Sequence, residues 1–146
     1  MMRRWSRFCL TTLSALALCA PAHAETDQEV AARQVALELA GAFSNDGFKL
    51  RDGHWSGTLA PNESRLIAVN LYAGNEYWFS IGATAKAKKL AIEVFDETGV
   101  PVTTEKFNSG TKAAAGFSVS NSGEYFIRVR LEEGEPSGVC FVYSYK

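Results

Sequence analysis

Few side chains in this sequence are of kinds that do covalent chemistry. Of the two histidines, His23 lies in an N-terminal segment read below as a signal peptide. His54 is then left alone as a general base. No G-x-S-x-G nucleophile elbow accompanies it, and beside Trp55 it reads as a strand-edge residue. Of the three cysteines, Cys9 and Cys19 fall in the same leading segment. Cys140, in Val139-Cys140-Phe141-Val142, reads as a small core residue. One histidine and one cysteine do not make a transition-metal site. Neither a phosphate loop nor a dinucleotide fingerprint is present. Carboxylates do cluster, at Asp96-Glu97 in a turn and at Glu132, Glu133 and Glu135 in a late loop. Such oxygens suit calcium, so Asp96 and Glu97 are the candidate ligands, although no EF-hand or nonapeptide spacing surrounds them. The other reading is a solvated acidic loop. Lys86, Lys88 and Lys89 read as a charged sheet edge that discourages pairing with another chain. The expectation is a non-enzymatic protein without a cofactor, calcium excepted.

The aromatic residues carry more information. Tyr72, Trp78, Phe95 and Phe126 alternate with the apolar residues that read as core, so they point away from it. An outward aromatic ring stacks on sugars or anchors a protein partner. Trp55, near a strand edge, joins this candidate binding set. The competing reading is that a helix covers these rings.

That helix starts at Thr26-Asp27-Gln28-Glu29, a capping box, within a helical segment over residues 25–46. Ala32, Val35, Ala36, Leu39 and Phe43 share one face at helical spacing. Val30 and Leu37 lie opposite, which implies contact from two directions. Asn45-Asp46-Gly47 ends it. From Gly47 the period changes to two. Strands are expected near His54–Leu59, Arg65–Tyr72, Glu76–Ile81, Lys89–Phe95, Val100–Thr104, Ala113–Val119, Glu124–Leu131 and Val139–Tyr145. The expected fold is all-β: a jelly-roll-like antiparallel β-sandwich of about eight strands with one N-terminal α-helix, over residues 47–146. The predicted core is Ile67, Val69, Leu71, Tyr77, Phe79, Ile81, Leu90, Ile92, Val94, Tyr125, Ile127, Val129 and Leu131.

Residues 1–24 read as a secretory signal peptide: Arg3, Arg4 and Arg7, an apolar run from Phe8 to Ala20, then Ala22-His23-Ala24 as the cleavage site. The alternatives are an uncleaved anchor and a lipoprotein acylated at Cys19. Cleavage after Ala24 removes three arginines and leaves twelve basic against sixteen acidic residues. That balance gives no basic patch for nucleic acid, and no membrane span is expected in the remainder. One remaining cysteine forms no internal disulfide, so the core alone must hold the domain.

Four landmarks occur in order. They are Gly57-Thr58-Leu59, then Leu71-Tyr72-Ala73-Gly74-Asn75-Glu76-Tyr77, then Asp96-Glu97-Thr98-Gly99, and last Ser122-Gly123-Glu124-Tyr125-Phe126-Ile127-Arg128-Val129. In spacing, residues 54–146 resemble the bacterial pre-peptidase C-terminal domain, a jelly-roll-like β-sandwich. The resemblance implies a non-catalytic module of the kind appended to secreted hydrolases, some members of which bind calcium. Here only a helix precedes the sandwich. Gly74, Gly99 and Gly123 are expected where turns need positive φ or a missing Cβ. The functional expectation is a periplasmic or secreted binding module for an envelope glycan or a periplasmic or extracellular protein. The alternative is an inhibitor or immunity-type protein that blocks a hydrolase with a loop such as Asn108–Thr111 or Glu132–Ser137. A small hydrolase ranks last.

Overall fold

The computed structural model describes residues 24–51 and 53–146. The signal-peptide reading therefore falls outside the described residues, apart from Ala24. Helix α1 spans Asp27–Ser44 and opens on the expected capping box. The Glu29 amide donates to the Thr26 hydroxyl at 3.2 Å, and the Thr26 amide donates to the Glu29 carboxylate at 2.9 Å. Among the described residues nine strands follow: β1 Lys49–Leu50, β2 Trp55–Leu59, β3 Ser64–Leu71, β4 Glu76–Ala83, β5 Ala87–Phe95, β6 Glu105–Ser109, β7 Lys112–Ser118, β8 Gly123–Gly134 and β9 Ser137–Tyr145.

They form two antiparallel sheets. The larger runs β1-β9-β4-β7-β6, with β2 also paired to β9, and the smaller runs β3-β8-β5. The expected antiparallel sandwich with one helix is what the chain builds. Strands β1 and β2 lie on the same side of β9, opposite Tyr145–Ser144 and Phe141–Ser137 respectively. They are two lengths of one edge run, interrupted between Leu50 and Trp55. Gly53, at φ 93°, takes a backbone conformation there that other residues adopt only with strain.

The inner faces carry the predicted core. Tyr77, Phe79 and Ile81 of β4 meet Ile127, Val129 and Leu131 of β8 and Leu90, Ile92 and Val94 of β5, all under 9% exposed. Ile67 is only partly buried. Val139 and Phe141 of β9 and Ala113 and Ala115 of β7 complete the layer. Each large side chain buried here contributes about 1.5–3 kcal/mol.

The helix lies on the outer face of the larger sheet. Ala32, Ala36 and Ala40 pack against Cys140 and Val142 in a second buried cluster, with Leu37 at its margin. Small residues make this close seat. A Cβ at Gly82 of β4 would lie 2.4 Å from the Ala36 nitrogen, and one at Gly138 of β9 would lie 2.6 Å from the Gln28 carbonyl oxygen. Of the two residues expected on the opposite side, Val30 is 53% exposed, whereas Leu37 is partly buried against this second cluster.

One expected strand is absent. Over Val100–Thr104 the chain makes a single bridge, Pro101 to Phe95, and the strand begins only at Glu105. Pro101 has no amide to donate to a ladder, and the Val100 amide is already taken by the Asp96 carboxylate at 3.0 Å. The acidic loop expected around Glu132 is also shorter than predicted. Residues Glu132–Gly134 belong to β8, leaving Glu135-Pro136 as the turn. No helix among the described residues is long and apolar enough to cross a membrane.

Candidate functional site

The expected aromatic set divides into three places. Trp78 is under the helix. Its ring stacks on Phe43 with centroids 4.3 Å apart and planes 10° apart. The opposite strand contributes Gly116, where a Cβ would come within 2.6 Å of the same indole. Trp78 is half-buried and engaged by the helix through Phe43, so it reads as a helix-docking residue rather than a free binding ring. The helix-cover reading holds for this ring alone.

Phe95 and Phe126 stand on the outer face of the smaller sheet, directly opposite each other in the β5–β8 register. Both are half-buried. The Arg128 guanidinium lies 5.0 Å from the Phe95 ring centre and is ion-paired to Glu93. Leu66, in register with Arg128, is 56% exposed.

Trp55 and Tyr72 come together at the open side of the sandwich, between the β2–β9 edge and the β3 edge. They line a cleft of about 360 Å³ with Arg51, His54, Asn70 and Tyr143. The interruption between β1 and β2 supplies Arg51 and His54. The backbone stays anchored there, because the Arg51 amide donates to the Tyr143 carbonyl at 2.9 Å. The Trp55 ring lies along its own strand: a Cβ at Gly57 would meet it at 2.5 Å. The Arg65 guanidinium sits 5.5 Å from the centre of the same ring, so Trp55 is the wall of the cleft. Tyr72, 52% exposed, is its open ring. Arg51 lies over Tyr145 at 5.7 Å. Arg51, Arg65 and Tyr143 carry no motif in the sequence; the break in the edge run, β3 of the smaller sheet and β9 bring them to the cleft that Trp55 walls.

His54 is held by Glu25, Nε2 to Oε1 at 2.7 Å, and Glu25 also pairs with Arg33 at 3.8 Å. The His54 hydrogen bond, together with the charges of His54 and Arg33, keeps the Glu25 carboxyl below its usual range. The described residues lining the cleft include no serine, threonine, cysteine or carboxylate. Cys140 is buried beneath the helix, and burial pushes its thiol up from the ordinary range, which removes it as a nucleophile.

Asp96, the first calcium candidate, is committed to its own turn. One carboxylate oxygen accepts from the Thr98 amide at 2.9 Å, the Thr98 hydroxyl at 2.7 Å and the Val100 amide at 3.0 Å. The Thr98 hydroxyl first, then these amides, hold its carboxyl below the usual value. Among the described residues no three His, Cys, Asp or Glu side chains gather as a metal site. The tyrosine landmarks act in the same local way. The Tyr77 hydroxyl accepts from the Tyr72 amide at 3.1 Å, and the Tyr125 hydroxyl donates to the Asn121 carbonyl at 2.7 Å. Each fastens the turn that precedes its strand. Gly99, at φ 82°, fits that logic. Gly123 does not: its φ is not positive, and a Cβ there would make only ordinary contact with Glu97 at 3.4 Å.

A wider depression of about 640 Å³ lies beside Phe48, Trp78, Val102–Glu105 and Phe117. Its rings are already engaged: Phe117 packs against Phe79 and Tyr125, and the Lys146 ammonium covers Phe48 at 4.6 Å.

No family model matches the chain, and no curated protein does. Among solved structures, a de novo designed double-stranded β-helix determined by solution NMR is similar to it. The identity is 18%, covering 64% of this chain and 99% of the designed one, with a TM-score of 0.36.

Proposed function

We propose that this protein is a secreted or periplasmic, non-catalytic β-sandwich that binds an envelope glycan in the cleft between β2 and β3. The observation that carries the reading is the meeting of the exposed Tyr72 ring with Trp55, Arg51, His54 and Asn70 around one cleft. A flat ring takes the C–H face of a sugar, and the polar side chains take its hydroxyls. The lack of a nucleophile or carboxylate among the described lining residues supports binding without turnover. The compartment rests on the signal-peptide pattern, and kinship with pre-peptidase C-terminal domains rests on the four landmarks.

The inhibitor reading finds less support, since the loops proposed as plugs are two-residue turns, Gly110-Thr111 and Glu135-Pro136. A protein partner is better served by the outer face of the smaller sheet, where Leu66 stands exposed near Phe126.

The test is calorimetric titration of the purified protein with soluble peptidoglycan fragments, alongside Tyr72→Ala. Binding that is lost in Tyr72→Ala with the melting temperature unchanged supports the cleft. Binding that survives Tyr72→Ala, or no binding at all, refutes it.

A further inference from the structure

The charge around the cleft runs against that of the chain. Acidic residues exceed basic ones, sixteen to fifteen over the full sequence. Yet the described residues lining the cleft carry the cation Arg51, with His54 and no carboxylate. Arg65 adds a second guanidinium at the Trp55 wall.

Elsewhere, among the described residues, five of ten cations are paired with a carboxylate. Arg33, Lys89, Lys112, Arg128 and Lys146 each meet a glutamate within 4.0 Å. Among the described residues, neither Arg51 nor Arg65 has such a partner. Both lie over aromatic rings instead, Arg51 over Tyr145 at 5.7 Å and Arg65 over Trp55 at 5.5 Å. Stacking engages the face of a guanidinium and leaves its planar N–H edge for hydrogen bonds; at Arg51 the Tyr143 hydroxyl takes part of that edge. Among the described residues, the Glu25 carboxylate on the His54 side is taken up by His54 and Arg33.

We infer that the ligand of this cleft is an acidic glycan, whose sugar ring lies on Tyr72 while a carboxylate on the same sugar or its neighbour is held by Arg51. The inference rests on the glycan reading above and narrows it to a substrate class. Arg65 fixes the Trp55 wall and adds to the local positive field. A neutral sugar would satisfy the ring and the hydroxyl contacts but leave the Arg51 fork to water. An acidic one replaces that water with a charge-assisted pair, the stronger kind of hydrogen bond.

The experiment uses two tetrasaccharides that differ in little besides the acid group. One is a chain of N-acetylglucosamine. The other alternates N-acetylglucosamine with N-acetylmuramic acid, which carries a lactyl carboxylate. Affinity for each is measured by calorimetry on the wild-type protein and on Arg51→Gln, with a thermal melt of both proteins. The acidic probe is expected to bind about tenfold more tightly than the neutral one, the step of a single charge-assisted contact. In Arg51→Gln that ratio is expected to fall to about one. Raising the salt to about 0.5 M should compress the wild-type ratio as well, because exposed charges are screened; this second readout needs no variant. Equal affinity for the two probes in the wild type overturns the inference and leaves glycan binding standing. A ratio preserved in a folded Arg51→Gln overturns the assignment of Arg51. Binding of neither probe overturns the glycan reading itself, and the inference falls with it.

Discussion

The seat of the helix is the most quantitative feature of this fold, and Gly82→Ala probes it directly. In an open strand this change would stabilise, since alanine loses less backbone freedom on folding than glycine, by about 0.5–1 kcal/mol. Here the added methyl would sit 2.4 Å from the Ala36 nitrogen, 2.8 Å from the Ala32 carbonyl oxygen and 2.8 Å from the Val35 carbonyl carbon. Ordinary contact starts at 3.4 Å, so the helix must lift by about 1 Å or the strand must sink. All three neighbours are backbone atoms, which cannot rotate away as a side-chain tip would. Lifting the helix opens the layer in which Ala32 and Ala36 meet Cys140 and Val142. Overpacking of this kind costs about 1–3 kcal/mol, which outweighs the entropic gain. The upper end is expected because the obstruction is rigid. For a domain of this size that corresponds to a fall in melting temperature of roughly 10 °C. The assay is urea and thermal unfolding of Gly82→Ala beside Gly41→Ala, an exposed helical glycine with nothing within 4 Å of a built Cβ. The control should be neutral or stabilising by up to about 1 kcal/mol. Should Gly82→Ala prove as stable as wild type while the control behaves as expected, the helix does not rest on β4 in this way, and the burial of Trp78 falls with it.

Further outcomes follow from the same structure. Trp78→Ala, which empties the space between Phe43 and Gly116, should cost about 3 kcal/mol in urea unfolding; a stable Trp78→Ala that loses ligand would restore Trp78 to the binding surface. Glu25 and Asp96 both have lowered folded-state carboxyl values. Their contribution is present above the ordinary values of 4.5 and 3.8 and is lost as pH falls through the folded-state ones. Glu25→Gln with Asp96→Asn should therefore flatten the acid limb of the melting curve, and an unchanged acid limb would remove that role. Millimolar calcium should leave the melting temperature where it is, since the Asp96 oxygen is occupied by its own turn; a rise would reinstate the calcium site. The Cys140 thiol, buried and pushed up, should react with a thiol reagent only at the rate of unfolding, and rapid labelling of the native protein would show the helix to be undocked.

Periodicity alone determined much of this molecule. The capping box at Thr26 and the alternation in β4, β5 and β8 are local, and a side chain's face on a strand follows from its parity. The predicted core therefore coincides with the buried layer, Ile67 excepted as only partly buried. The turn locks at Asp96, Tyr77 and Tyr125 are local too, which is why they were legible as landmarks and why they say little about function. Parity cannot say what lies on the other side of an outward ring. Tyr72 and Trp78 read alike in the sequence, yet one is 52% exposed and the other is half-buried and stacked on Phe43 of the helix. That difference depends on where the helix lands, and the landing is set by Gly82 and Gly138, residues 46 and 110 positions beyond Ala36 and Gln28. The Val100–Thr104 strand failed for a local reason, because the Asp96 carboxylate takes the Val100 amide. The cleft belongs wholly to the tertiary structure. Arg51, Arg65 and Tyr143 come from three separate segments, and the meeting of the broken edge run with β9 and with β3 of the smaller sheet brings their charges and rings to Trp55.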